Sequence, residues 1–198
     1  MTKNSTKDMS CRSCGAPAEL GLSKCTYCKQ PVLITAFNSV YDMPMQMVNQ
    51  YAASYRDALQ GEPQASDLNN SIAFCFLKLK KYDEALRAFN KAMETNFDNP
   101  ETYFYAAICL LGGKKAFLAQ KSQISKIEEN LNAAIDIETR GIFYYFLAYV
   151  KYDYYERKHL KSSPTYQELL SQAKKSGVSE HDIGQLFGVL NVARPEDM

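Results

Sequence analysis

With 198 residues, 23% of them charged, and a formal net charge of +1, the chain is long enough for one ordinary core plus a small module. It is too evenly charged to attract polyanions as a whole. The leading MTKNSTKDMS is polar, so no signal peptide is expected, and no apolar run reaches the length that spans a bilayer.

Residues 1–9 read as a disordered lead-in. From residue 11 the sequence CRSCGAPAELGLSKCTYCKQPV sets two CxxC pairs ten residues apart. Thiols two residues apart turn their sulfurs toward one centre, and two pairs supply the four thiolates of a closed tetrahedral shell. Cys11, Cys14, Cys25 and Cys28 are therefore the candidate ligands of one structural zinc ion. An iron–sulfur cluster and a disulfide framework are the alternatives. Four thiolates and one zinc ion would shift the formal +1 to about −1. Gly15 permits the tight turn that points backbone N–H groups at sulfur, whereas Lys29 holds the equivalent place in the second pair, so that knuckle is the less typical one. CRSCGAP and CTYCKQPV resemble the short zinc ribbons of the double-zinc-ribbon and rubredoxin-like type. The resemblance covers about a tenth of the chain. It implies a ribbon over 10–35 that holds proteins together or, in some cases, binds nucleic acid.

After a linker at 36–43, the chain reads as helical over 44–190, beginning with an unpaired helix at 44–60. The stretch KKYDEALRAFNKAMETNFDNPETYFYAAICLL spaces apolar and small residues for one helix face, and Asn-Pro separates two helices. It resembles a tetratricopeptide repeat, with Ala85, Phe89 and Ala92 at the signature positions of the second helix. Tyr51, Tyr55 and Ala58 stand 34 residues earlier; Ile127, Leu131 and Ala134, then Tyr166, Leu170 and Ala173, follow at steps of 42 and 39. First helices of three pairs are expected from about 66, 100 and 141, with Ala73, Ala107 and Ala148 at the close approaches. The insertion of the third unit is placed in GGKKAFLAQKSQI, before a helix that a Ser125/Glu128 capping box would start. Ser163-Pro164 is expected to open the last second helix and Gly177 to stop it. Ser179 would cap a final helix striped by Ile183, Leu186, Phe187 and Leu190, ahead of a tail at 191–198. The fold class is thus all-α, a helical-hairpin solenoid with a small N-terminal zinc ribbon.

Cys75 and Cys109 occupy the same place in consecutive first helices and read as buried packing residues. They suit a reducing compartment, and the expected location is cytoplasmic. His159 and His181, the chain's two histidines, stand in polar surroundings and suggest no catalysis. No phosphate loop, HExxH helix or GxSxG elbow is present, so no enzyme is expected.

In the repeat frame the groove-facing positions are Asn70, Phe74, Phe104, Ile108, Tyr145 and Tyr149, an aromatic face suited to an apolar or aromatic peptide. The last helix or the ribbon could instead fill that face. The repeat resemblance implies a protein-interaction adaptor or co-chaperone-like scaffold with a protein or peptide partner. Among the groove positions only Asn70 could serve a clamp for chaperone C-terminal carboxylates. A nucleic-acid-associated regulator using Arg12, Lys24 and Lys29 of the ribbon is the second reading.

Overall fold

The computed structural model describes residues 9–11, 13–17 and 22–198. The expected lead-in lies outside the described residues apart from Met9, which already belongs to a strand. The chain divides into two compact units, Met1–Phe97 and Asp98–Met198. That boundary falls inside the stretch whose periodicity reads as one helical domain.

In the first unit β1 (Met9–Cys11) and β2 (Val32–Ile34) pair antiparallel, with Met9 opposite Ile34 and Cys11 opposite Val32. Next come α1 (Asn38–Tyr41), α2 (Met45–Gly61), α3 (Ser66–Lys78) and α4 (Tyr82–Thr95). The segment expected as a linker contains α1 and is packed. Phe37, Val40 and Met43 are all buried, and the Phe37 ring lies 6.1 Å from that of Phe74. Nor does α2 stand alone, because its Tyr51 and Tyr55, one turn apart, are buried against α3 and the strands. α3 and α4 form an antiparallel hairpin. Ala73, Ala85 and Ala92 are fully buried, which lets the two backbones approach, and Phe74 meets Phe89 edge-on at 5.5 Å.

The second unit holds α5 (Pro100–Leu111), α6 (Lys121–Ile137), α7 (Gly141–Val150), α8 (Tyr166–Lys175) and α9 (Glu180–Leu190). The expected starts at 66, 100 and 141 coincide with α3, α5 and α7. Asn99 caps α5 by accepting from the Glu101 N–H, Pro100 fills the first turn, and Gly112 ends the helix in the left-handed region. α6 starts earlier than expected. Ser125 forms no cap; its hydroxyl donates to the Lys121 carbonyl one turn back, and burial of Ile124 secures the extra turn. The insertion is therefore 112–120, with a short 3-10 turn at Ala116–Leu118. At α8 the cap is Thr165, not Ser163-Pro164. Its hydroxyl and the Glu168 carboxylate reciprocally satisfy two N–H groups that no proline could serve. Leu169, rather than Leu170, takes the inward position on α8, and Leu170 is half-buried. Ser179 builds the same kind of box with Asp182 at α9, whose Ile183, Leu186, Phe187 and Leu190 are buried as the stripe requires.

α7 does not end at Val150. It continues through a π-helical turn, Lys151–Tyr155, and a 3-10 turn, Glu156–Lys158, until His159 turns left-handed. The wider π turn rotates Lys151 and Asp153 inward, where each finds a counter-charge. Lys151 pairs with Glu128 at 3.2 Å, and Asp153 takes Arg157 at 2.5 Å and the Phe117 N–H at 2.7 Å. At the other end of α7, a methyl group on Gly141 would sit 2.5 Å from the Val178 nitrogen and 2.7 Å from the Ala173 carbonyl oxygen, both backbone atoms. Gly141→Ala should therefore lower stability by about 1–3 kcal/mol, read as an earlier urea unfolding midpoint with the native helical signal retained before the transition.

Candidate functional site

The four cysteines lie on two knuckles with the same hydrogen-bond pattern. In the first, Gly15 N–H donates to the Cys11 carbonyl at 2.9 Å and Cys11 N–H to Ala16 at 3.0 Å; in the second, Lys29 N–H donates to Cys25 at 3.0 Å and Cys25 N–H to Gln30 at 2.8 Å. Gly15 has φ +67° and Lys29 φ +63°. The second knuckle thus reproduces the first despite carrying a side chain in the left-handed region, and the Lys29 ammonium donates to the Thr26 carbonyl of its own turn at 2.9 Å.

The sulfurs of Cys11, Cys14, Cys25 and Cys28 all lie within 4.8 Å of one another. Cys11 and Cys28 are 3.2 Å apart, Cys14 and Cys25 3.7 Å. A tetrahedral thiolate site with metal–sulfur bonds near 2.3 Å has edges of about 3.8 Å, so the cluster has the dimensions of a four-sulfur metal site. These distances are well beyond a disulfide bond, and all four thiols are free. The backbone N–H of Cys14 pulls the Cys11 thiol down to about 6, and the N–H of Cys28 lowers Cys25. Cys14 and Cys28 face the N–H groups of Ala16 and Gln30, yet the neighbouring sulfurs and burial together push Cys14 up to about 12 and Cys28 upward as well. Four crowded sulfurs resist carrying four charges together, and a bound dication removes that resistance. The donor set therefore fits a metal ion.

Hydroxyl groups on helices seat this module. Ser71 of α3 accepts from the Ile34 N–H at 3.2 Å and donates to the Ile34 carbonyl at 3.0 Å. Tyr55 of α2 donates to the Val32 carbonyl, and the Val32 N–H reaches Ser23 at 3.2 Å. The backbone groups of β2 that point away from β1 are satisfied in this way. Further out, the Tyr51 hydroxyl donates to Leu22 at 2.9 Å and the Ser54 hydroxyl to Ser23 at 3.4 Å. Nothing in the sequence marks Ser71 as a strand partner, since a serine inside a helix has no periodic signal.

All six groove positions are buried. In the first unit, Phe74 is enclosed by Phe37 and Phe89, and Asn70 is 6% exposed. In the second, Phe104 lies against Phe143 at 5.1 Å and Phe146 at 5.7 Å, with Ile108 buried nearby on α5. Tyr145 and Tyr149 are covered by α9, whose Phe187 meets them edge-on at 6.4 and 5.2 Å. These residues form no exposed face in this structure, because the last helix and the neighbouring rings occupy it. The hydroxyl oxygens of Tyr145 and Tyr149 are buried, with Arg194 beside the first and Asp153 and the Ala116 backbone beside the second.

Cys75 and Cys109 are buried as expected, and burial raises the Cys75 thiol far above its ordinary value. His159 and His181 are exposed. Of the three ribbon cations, Arg12 lies outside the described residues, Lys24 is exposed, and Lys29 is engaged within its own knuckle. Among the described residues no helix is long and apolar enough to cross a membrane.

The helix pairs define an all-α chain of tetratricopeptide-like hairpins with a four-cysteine module at its start. No family model and no curated protein matches it. Among solved structures, one titled MamA MSR-1 C2 is similar over 77% of this chain and 83% of that one, at 15% identity and a TM-score of 0.48. So loose an overlap carries no argument about activity, and the class rests on this chain's own helix pairing.

Removing the Ser71 hydroxyl breaks its hydrogen bonds to both the N–H and the carbonyl of buried Ile34. Ser71→Ala should cost about 1–3 kcal/mol, measured by chemical unfolding, and should increase hydrogen exchange at the Ile34 amide.

Proposed function

We propose that the chain is a non-enzymatic protein-interaction scaffold of adaptor or co-chaperone type. Its four cysteines hold one structural zinc ion, and an apolar partner segment binds the ring-lined face of α7 by taking the place of α9. The observation that carries this reading is the seating of α9 on α7, where Phe187 meets the rings of Tyr145 and Tyr149 edge-on at 6.4 and 5.2 Å. An apolar side chain of a partner segment can take the place of Phe187. The rings supply contact area at low entropic cost.

Zinc suits the cysteines because four thiolates complete its tetrahedral shell and leave no position open to substrate, which makes the ion a staple rather than a catalyst. The ribbon's exposed cations favour no nucleic-acid role.

Metal analysis of protein purified without chelator should give one zinc ion per chain. Cys25→Ser should release it and loosen the strands while the helical signal of the second unit persists; iron, or no metal, would reject the assignment. For the face itself, a partner captured from native cells and then purified should bind Phe187→Ala more tightly than the parent chain. It should bind Tyr149→Ala more weakly by about 1–3 kcal/mol, the usual range for a buried aromatic anchor. Weaker binding to Phe187→Ala together with unchanged binding to Tyr149→Ala would place the contact elsewhere.

A further inference from the structure

Two exposed turns that the proposed scaffold leaves unused meet at one end of the second unit. The insertion 112–120 presents Lys114 and Lys115, then Leu118, which is 69% exposed. The segment that follows the π turn presents Lys158, Leu160 at 48% exposure, and Lys161. Phe117 joins them: its N–H donates to Asp153, and its ring lies 4.8 Å from the Arg157 guanidinium and 5.0 Å from the Lys158 ammonium. Lys158 also sits 3.8 Å over the Tyr154 ring, and Lys121 lies over Tyr155 at 4.4 Å. Counting Lys114, Lys115, Lys121, Arg157, Lys158 and Lys161 against Asp153, Glu156, Glu196 and Asp197 leaves a local charge of +2, on a chain whose formal total is +1. Arg157 is committed to Asp153, whereas Lys114, Lys115 and Lys161 form no ion pair within 4 Å among the described residues.

Lysines outside any ion pair, set around two protruding leucines, suit a partner that supplies negative charge and an apolar phase together. We propose that this end of the second unit docks on an anionic lipid surface. Leu118 and Leu160 enter the boundary between headgroups and acyl chains, and the lysines face lipid phosphates and carboxylates. An acidic protein segment fits less well, because it offers the lysines charge but the two leucines no apolar phase. Nucleic acid supplies phosphates but no apolar phase for the leucines. The long lysine stems suit a bilayer, since they lie along the apolar boundary while the ammonium stays in the headgroup layer.

The experiment is sedimentation of the full chain with vesicles of phosphatidylcholine, with and without phosphatidylserine, at low and high salt. Binding should require phosphatidylserine and fall as salt rises, because exposed charges are screened. Reversing two lysines in Lys114→Glu/Lys115→Glu should lower the partition coefficient about tenfold or more. Leu118→Ser should lower it by a similar factor at unchanged salt dependence. Both changes lie on exposed turns, and circular dichroism verifies the fold of each variant. Four outcomes overturn the proposal: no sedimentation, equal sedimentation with pure phosphatidylcholine, an unchanged partition in the charge-reversed variant, or retention on poly-glutamate or RNA without vesicle binding.

Discussion

The outward edge of a two-stranded sheet is the constraint on which the first unit turns. β1 and β2 are three residues each, too short to fold alone, and β2 is buried along its whole length, so its unpaired backbone groups lie where water does not reach. Four thiolates around a metal would fix the knuckles, but they would do nothing for that edge. Ser71 and Tyr55 do, by offering hydroxyls from two different helices to alternate residues of one strand, Ile34 and Val32. The arrangement couples metal chemistry to helix packing. Whatever loosens the knuckles withdraws the strand from its hydroxyl partners, and whatever shifts α3 against α2 withdraws the partners from the strand.

The second unit meets a comparable demand with charge. Lys151 and Asp153 are turned inward by the π turn, and their burial is tolerable because Glu128, Arg157 and the Phe117 amide stand within hydrogen-bonding distance. Removing one partner would strand a buried charge, so the turn, the insertion that carries Phe117, and the middle of α6 are tied together. The aromatic run of α7 belongs to the same design. Its rings are shared between α5 on one side and α9 on the other, which explains why a single helix carries more rings than it can bury against its own hairpin partner.

Much of this was legible in the chain before any coordinates. The starts of α3, α5 and α7 followed from small residues at matching intervals, and the Ser179 box followed from one serine placed before an apolar stripe. The cysteine cluster followed from spacing alone, because a tetrahedral shell leaves few alternatives for two CxxC pairs. Features whose cause is tertiary were not legible. Ser125 and Glu128 have the sequence of a cap, but burial of Ile124 draws the helix back past them. Lys29 adopts the backbone geometry that a glycine would advertise. The groove positions are buried, and periodicity does not separate an open face from one that α9 covers, since both use the same residues. The π turn has no period of its own, and Ser71 looks like any small residue inside a helix.

The seating of β2 also bears on how such a chain could be assembled from parts. A cut after residue 35, where the ribbon's sequence signature stops, would separate a strand from the serine and tyrosine that complete it. The self-contained piece instead runs to Phe97. The four-cysteine module is therefore not a portable piece by itself: exchanging α2 and α3 for other helices would take away the Tyr55 and Ser71 hydroxyls on which the outer edge of β2 closes.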